Sequence, residues 1–222
     1  MINMYFSKGF ELSESILGIV WNCVSGELDN NGKFEDRRFQ PIYNIIKKYP
    51  VYFWDKIKNE LNSRRPSNYP LYGIFIDFLQ GGYMSCSFDS SVFAHIEPEL
   101  VIEWLKDTDY ENAKYIIADS LNIDFTRDYL PELVVGMLNE FPSDQRLYSS
   151  IKCRSESWSG SYVPVANAKI ANIDIMLEKY KAKNNIVNFL NWARKSFEHR
   201  RDWEKRDDEE ADDYDWDEEY DL

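Results

Sequence analysis

The chain has 222 residues, 44% hydrophobic and 16% aromatic, with a formal net charge of -13. That much apolar surface excludes a disordered chain and suits one large domain or two small ones. Residues 202–222 hold thirteen acids against two bases, Lys205 and Arg206, so they carry -11, whereas the other 201 residues hold 26 acids and 24 bases. A nearly neutral body gives no electrostatic case for nucleic-acid binding, which leans on phosphate neutralisation.

Ser13 is placed to cap a first helix that presents Ile16, Leu17, Val20, Cys23 and Val24 inward and ends at Ser25-Gly26. Asp29-Asn30-Asn31-Gly32 reads as a polar loop. A second helix is expected over 41–48, burying Ile42, Ile45 and Ile46. Pro50 then opens a third, with Phe53, Trp54, Ile57 and Leu61 inward, because proline lacks only an N–H that has no helical partner there. The apolar run 70–79 reads as a buried helix ended by Gly81-Gly82, with a loop through Ser90.

Glu97-Pro98-Glu99 starts the next helix, whose acids favour the positive end of the dipole, and Leu100, Val101, Trp104 and Leu105 follow. Asp109 is the expected cap of a helix bearing Ala113, Ile116, Ile117 and Leu121. Residues 130–141 form another, with Leu133, Val134, Met137 and Leu138 inward. Ser143 caps a short helix with Leu147, Tyr148 and Ile151, and 155–160 is a polar loop around Trp158. Two longer helices close the body: 166–181, showing Ile170, Ile173, Met176 and Leu177, and 185–206, showing Val187, Leu190, Trp192 or Ala193, and Phe197. Trp54, Trp104 and Trp192 are expected at helix–helix contacts. Strand alternation is almost absent, so the pattern predicts an all-α fold, a solenoid of antiparallel helix pairs over 1–206 with an acidic tail over 207–222. Packed acids repel, which ends the last helix near Arg206.

The motifs that carry chemistry are missing or incomplete. Gly26–Phe34 (GELDNNGKF) spaces its glycines one residue too far for a phosphate loop and puts Phe34 where a magnesium-binding hydroxyl belongs, so it reads as a solvated turn. His95 and His199 stand apart, and Cys86 has no second metal-ligating pair nearby, so His95 reads as a half-buried histidine satisfying its own hydrogen bonds. Ser85-Cys86-Ser87 lacks any signature of an activated thiol. Ser157–Ser161 (SWSGS) lacks the first glycine of a nucleophile elbow and follows no strand. The carboxylates at 207–210 and 212–213 sit among few aliphatics, and no shaped site separates their pKa values. No catalytic residue, cofactor or metal is assigned.

Cys23, Cys86 and Cys153 are odd in number and lack a CxxC pair, which fits a reducing cytoplasm better than a disulfide framework. The first twenty residues lack a basic start and a long apolar run, and no stretch reaches membrane-spanning length. A cytoplasmic protein without a membrane partner is expected. Tyr214, Trp216 and Tyr220 punctuate the acidic tail and are the expected contacts to a protein partner, the charge steering encounter and the rings supplying contact. The bases Arg194, Lys195, Arg200, Arg201, Lys205 and Arg206 read as local neutralisation of the following acids, with a phosphate-binding surface as the sharper alternative.

From about Pro70 onward the order of features resembles the C-terminal region of large bacterial helical-repeat proteins joined to NACHT-type or STAND-type NTPase modules. The residues carrying this are His95–Trp104 (HIEPELVIEW), Asn112–Ala118, Leu130-Pro131-Glu132-Leu133 with Leu138, Trp158-Ser159-Gly160, Phe189–Ala193 (FLNWA) and the acidic end at Glu209-Glu210. The resemblance covers about two-thirds of the chain and rests on the order of individually unspecific motifs. It implies a HEAT-like α-solenoid acting as a non-catalytic sensor or scaffold arm in antiviral defence. The sequence departs from that family in holding no NTPase module. The rival expectation is an acidic immunity protein that blocks a toxin enzyme by occupying its basic site.

Overall fold

The computed structural model of the chain describes residues 11–29, 36–64, 75–76, 78–81, 88–142, 144–151 and 161–212. These residues are mostly helical and hold no strand beyond one isolated bridge residue, Ile123. The helices are α1 (Glu14–Asp29), α2 (Asp36–Lys48), α3 (Pro50–Arg64), α4 (Pro98–Asp107), α5 (Ala113–Asp119), α6 (Glu132–Glu140), α7 (Gln145–Ser150), α8 (Val163–Lys179) and α9 (Asn184–Asp212). Two 3₁₀ turns, Phe88–Ser90 and Val92–His95, precede α4. The chain divides into two compact units, one of residues 1–124 with 131–154, the other of 125–130 with 155–222.

In the first unit, α1 enters on Ser13, whose carbonyl accepts the Leu17 N–H at 3.0 Å. Its buried stripe is Leu17, Val20, Trp21 and Val24, whereas Ile16 and Cys23 are exposed. Three of the five expected inward residues are buried, and the stripe is completed by Trp21, its ring 6.2 Å from both Phe53 and Phe78. Nor does Gly26 end the helix, which continues to Asp29. Helix α2 begins five residues ahead of the expected Pro41 and buries Tyr43, Ile45 and Ile46, while Ile42 is half-buried. Helix α3 starts at Pro50 and buries Phe53, Trp54, Ile57 and Leu61, as the spacing requires.

Of the expected 70–79 helix, residues 75–76 and 78–80 are described and helical. Phe75, Ile76, Phe78 and Leu79 are buried there. Three side chains tie this segment down: the Tyr43 hydroxyl donates to the Phe78 carbonyl (3.3 Å), Ser91 Oγ to the Leu79 carbonyl (2.9 Å), and Gln80 Nε2 to the Asp119 carbonyl (2.9 Å). Helix α4 starts on Pro98 after Glu97 and buries Val101 and Leu105. Asp109 does not cap α5. Thr108 Oγ1 accepts the Tyr110 N–H first, and the helix starts only after Asn112. Ser143 lies outside the described residues, and the cap of α7 is Asp144, whose Oδ1 accepts the Leu147 N–H at 3.2 Å. Helix α4 packs on α6 and α5 on α7.

The second unit is built on the antiparallel pair α8–α9, closed by a turn at 180–183. Ala166, Ile170, Ile173 and Met176 of α8 are buried, as are Ile186, Phe189, Leu190, Ala193 and Phe197 of α9. Phe125 sits among them, 5.5 Å from the Phe197 ring and 6.4 Å from that of Phe189. Between Trp192 and Ala193 the core takes Ala193, leaving Trp192 36% exposed. Lys169 is buried with its ammonium 5.5 Å from the centre of the Phe197 ring, a contact in which the aliphatic stem packs as a hydrophobe. The last helix does not stop near Arg206; it runs six residues further.

Candidate functional site

The tail residues Tyr214, Trp216 and Tyr220 lie outside the described residues, as do Cys86, Cys153, Phe34 and the loop around Trp158. His95 is half-buried at the end of its 3₁₀ turn. Burial and then the charge of Lys47 hold its ring below the ordinary histidine value, against weaker support from Asp89. Among the described residues no three of His, Cys, Asp and Glu come together in a way that could hold a metal ion.

The most connected polar cluster was not expected from the sequence. It joins α5 to the cap of α7 in the first unit. Asp144 Oδ2 accepts from the Tyr115 hydroxyl at 2.8 Å and from Lys114 Nζ at 2.9 Å, while Oδ1 caps α7. The Arg146 guanidinium lies 4.1 Å from the centre of the Tyr115 ring, and the Lys114 ammonium 5.0 Å from that of Phe141. A shallow open depression lined by Glu111, Lys114, Tyr115, Phe141, Pro142, Asp144 and Gln145 lies over it.

The electrostatics of this cluster hold it in its resting charge state. Burial works against the Lys114 ammonium, but the bond and charge of Asp144 outweigh it and raise its pKa. Burial and Asp144 together raise Tyr115. Burial would raise Asp144, yet Lys114, Tyr115 and the Leu147 N–H overcome it and hold the carboxyl below the usual range. Each shift moves its group away from neutral pH, opposite to what a general acid or base needs. The chemistry this arrangement performs is cross-linking of α5 to α7.

A second feature lies in the second unit, along the exposed flank of the α9 buried stripe. Trp192, Ser196, His199 and Trp203 follow at steps of four, three and four residues and are all exposed. These steps keep them within about 60° of one another around the helix, over about 16 Å. Trp203 is 55% exposed. The Trp192 ring stacks on buried Phe189 with centroids 6.1 Å apart, which fixes one edge of the face. From sequence His199 is weighed only as a metal ligand, and Trp203 is not named. Helical spacing alone puts Trp203 on the flank of the stripe Phe189, Ala193, Phe197, about 40° from Phe189, so periodicity does not mark it as exposed.

The basic cluster divides between two uses. Arg194 Nε donates to Asp174 (2.9 Å) and Nη1 to Glu198 (2.6 Å), and Arg201 Nε donates to Asp202 (2.8 Å). These two serve local neutralisation. Lys195, Arg200, Lys205 and Arg206 are exposed, and helical spacing puts Lys195 and Arg206 beside the aromatic face and Lys205 on the opposite side. Arg200 also lies 4.4 Å from the centre of the Tyr162 ring. No helix among the described residues is long and apolar enough to cross a membrane. No model of a known family, no curated protein and no solved structure matches this chain.

Proposed function

We propose that the chain is a non-catalytic, protein-binding helical module, a HEAT-like solenoid end that serves as a sensor or scaffold arm in a bacterial defence or signalling system. The observation that carries the binding role is the exposed pair Trp192 and Trp203 on one face of α9. Exposed tryptophans beside cationic side chains are the composition that anchors protein interfaces, because the rings give large contact area at little entropic cost. The packing of α4 on α6 and α5 on α7 supports the solenoid reading, since successive helix pairs of a solenoid stack like on like. The order of motifs from Pro70 onward supports the defence context. Tyr214, Trp216 and Tyr220 would add contacts at the acidic end.

Photo-crosslinking from position 203 in cells, followed by identification of the attached proteins, tests this. A partner attached at 203 and lost in a Trp192→Ala variant, with the circular dichroism spectrum unchanged, is the expected result. Crosslinks that ignore Trp192→Ala, or attach only to solvent and lipid, overturn it.

A further inference from the structure

We propose that the start of α9 is a reading helix for the major groove of duplex DNA, a function separate from that of its tryptophan face. Asn184, Asn188, Asn191 and Lys195 are all exposed. Helical spacing sets them within about 60° of one another and opposite the buried stripe of Ile186, Phe189, Leu190, Ala193 and Phe197. They form the outermost ridge of the helix. Asparagine is a poor helix former, because its amide competes for the backbone. Four of the eight residues from 184 to 191 are nonetheless asparagine. The amides of the three on the ridge make no hydrogen bond among the described residues. Folding gives no reason for them, whereas a ligand that both donates and accepts hydrogen bonds does.

The charge around this ridge fits a phosphate backbone. Residues 179–197 hold five bases and no acid, a segregation hidden in the nearly neutral total of the body. Lys179, Lys181 and Lys183 are exposed at the turn where α9 starts. Lys179 and Lys183 stand 5.8 and 5.9 Å from the centre of the Tyr180 ring and form no ion pair among the described residues. Lys181 meets only Glu178, at 3.9 Å with both side chains open to water, a pair that solvent screens. Asp174 of α8 is already bound to Arg194. The acidic run from Asp207 begins about 35 Å along the helix from Asn184, several Debye lengths away.

The ridge is convex and spans about 17 Å, or about five base pairs of groove. Asparagine reads adenine by two hydrogen bonds, and lysine reads guanine. Entry by the N-terminal residues leaves the acidic end of α9 clear of the duplex. The major groove of duplex RNA is too narrow to admit the ridge. A protein partner needs an aromatic or aliphatic anchor, and the ridge carries none, the rings of Trp192 and Trp203 lying on its flank. An acidic peptide would use the lysines and leave the amides idle.

Fluorescence anisotropy of the full chain with a short labelled DNA duplex of mixed sequence, and selection from a pool of random duplexes, test the proposal. The expected results are binding at about 50 mM salt, a log–log salt slope of about -3 from the three lysines at the turn, and enrichment of one sequence pattern. Lys183→Ala should weaken binding to every sequence alike and reduce the slope by about one. Asn188→Ala should leave binding to the mixed duplex unchanged but lose about tenfold or more on the enriched sequence, with an unchanged circular dichroism spectrum. Trp203→Ala should alter neither readout, which separates this result from the protein-binding reading. No binding to the duplex, no enriched sequence, or enrichment indifferent to both Asn188→Ala and Asn191→Ala overturns the proposal. So does polyglutamate that competes as well as DNA at equal charge, which assigns the lysines to an acidic protein. Preference for duplex RNA or for phosphatidylserine vesicles over DNA overturns it as well.

Discussion

The hydroxyl of Tyr115 on α5 donates to Asp144 Oδ2 at 2.8 Å, while the other oxygen of the same carboxylate caps α7. One side chain thus satisfies a helix end, a tyrosine and a lysine. Asp144→Ala removes the cap, worth about 1 kcal/mol, and leaves a half-buried hydroxyl and ammonium without their acceptor. The expected loss is about 2–3 kcal/mol by urea denaturation. Asp144→Asn retains part of the cap and should cost less than Asp144→Ala. Equal losses would show that the carboxylate's bonds to Lys114 and Tyr115, not the cap, dominate.

The same cluster sets a pH dependence whose sign follows from the shifts. Asp144 is held below its ordinary value, so its stabilisation is present above about pH 4 and is lost as pH falls through the lowered value. Lys114 and Tyr115 are raised, so their stabilisation is full below about pH 10 and is lost as pH rises through their raised values. His95 is lowered, so its contribution begins to fade earlier, as pH drops below about 6.5. Urea midpoints measured against pH should show two acid limbs. His95→Gln should remove the upper limb only, and Asp144→Asn should flatten the lower one only. A uniform downward shift of the curve in either variant would contradict this assignment.

How much of this was legible beforehand follows from what sequence periodicity can carry. It gave the helical class, the start of α3 at Pro50 and the buried set Phe53, Trp54, Ile57 and Leu61, because these depend on residues within one or two turns. It failed at α7, whose cap is Asp144, and at α5, where Thr108 intercepts the backbone ahead of Asp109. Cap choice depends on one backbone angle, which periodicity does not encode. The Tyr115–Asp144 bond spans 29 residues and the burial of Lys169 depends on Phe197, 28 residues away, so neither leaves a local trace. Trp192 and Ala193 are chain neighbours, so periodicity leaves the choice between them open, and the buried stripe runs through Ala193.

Trp54 and Trp104 meet edge-on with ring centroids 5.4 Å apart, bringing α3 against α4. Trp54 is 2% exposed, and Trp104 is only half-buried. Trp54→Ala should therefore cost about 3–5 kcal/mol, and Trp104→Ala clearly less. A double-mutant cycle isolates the ring contact, with an expected coupling of about 0.5–1.5 kcal/mol. Additive losses would mean that each ring packs against other neighbours and that their edge contact contributes nothing.

Two helical glycines should respond to alanine with different signs. At Gly26 in α1 a Cβ would meet nothing within 4 Å. Alanine there gains helix propensity at no steric cost, so Gly26→Ala should stabilise by about 0.5–1 kcal/mol. At Gly136 in α6 the added Cβ would stand 3.2 Å from Ile102 Cγ1 and 3.3 Å from Cδ1, on the helix α4 against which α6 packs. Overpacking of that kind typically costs about 1–3 kcal/mol, which outweighs the same propensity gain and makes Gly136→Ala a net loss. The comparison is internal, since both substitutions add one methyl to a helix of the same unit. Ile102→Ala removes the atoms in the way, at its own cavity cost, and the Gly136→Ala substitution made on that background should turn favourable. If Gly136→Ala stabilises in the wild-type background as Gly26→Ala does, then α4 and α6 lie farther apart than these distances state, and the glycine is not what permits their approach.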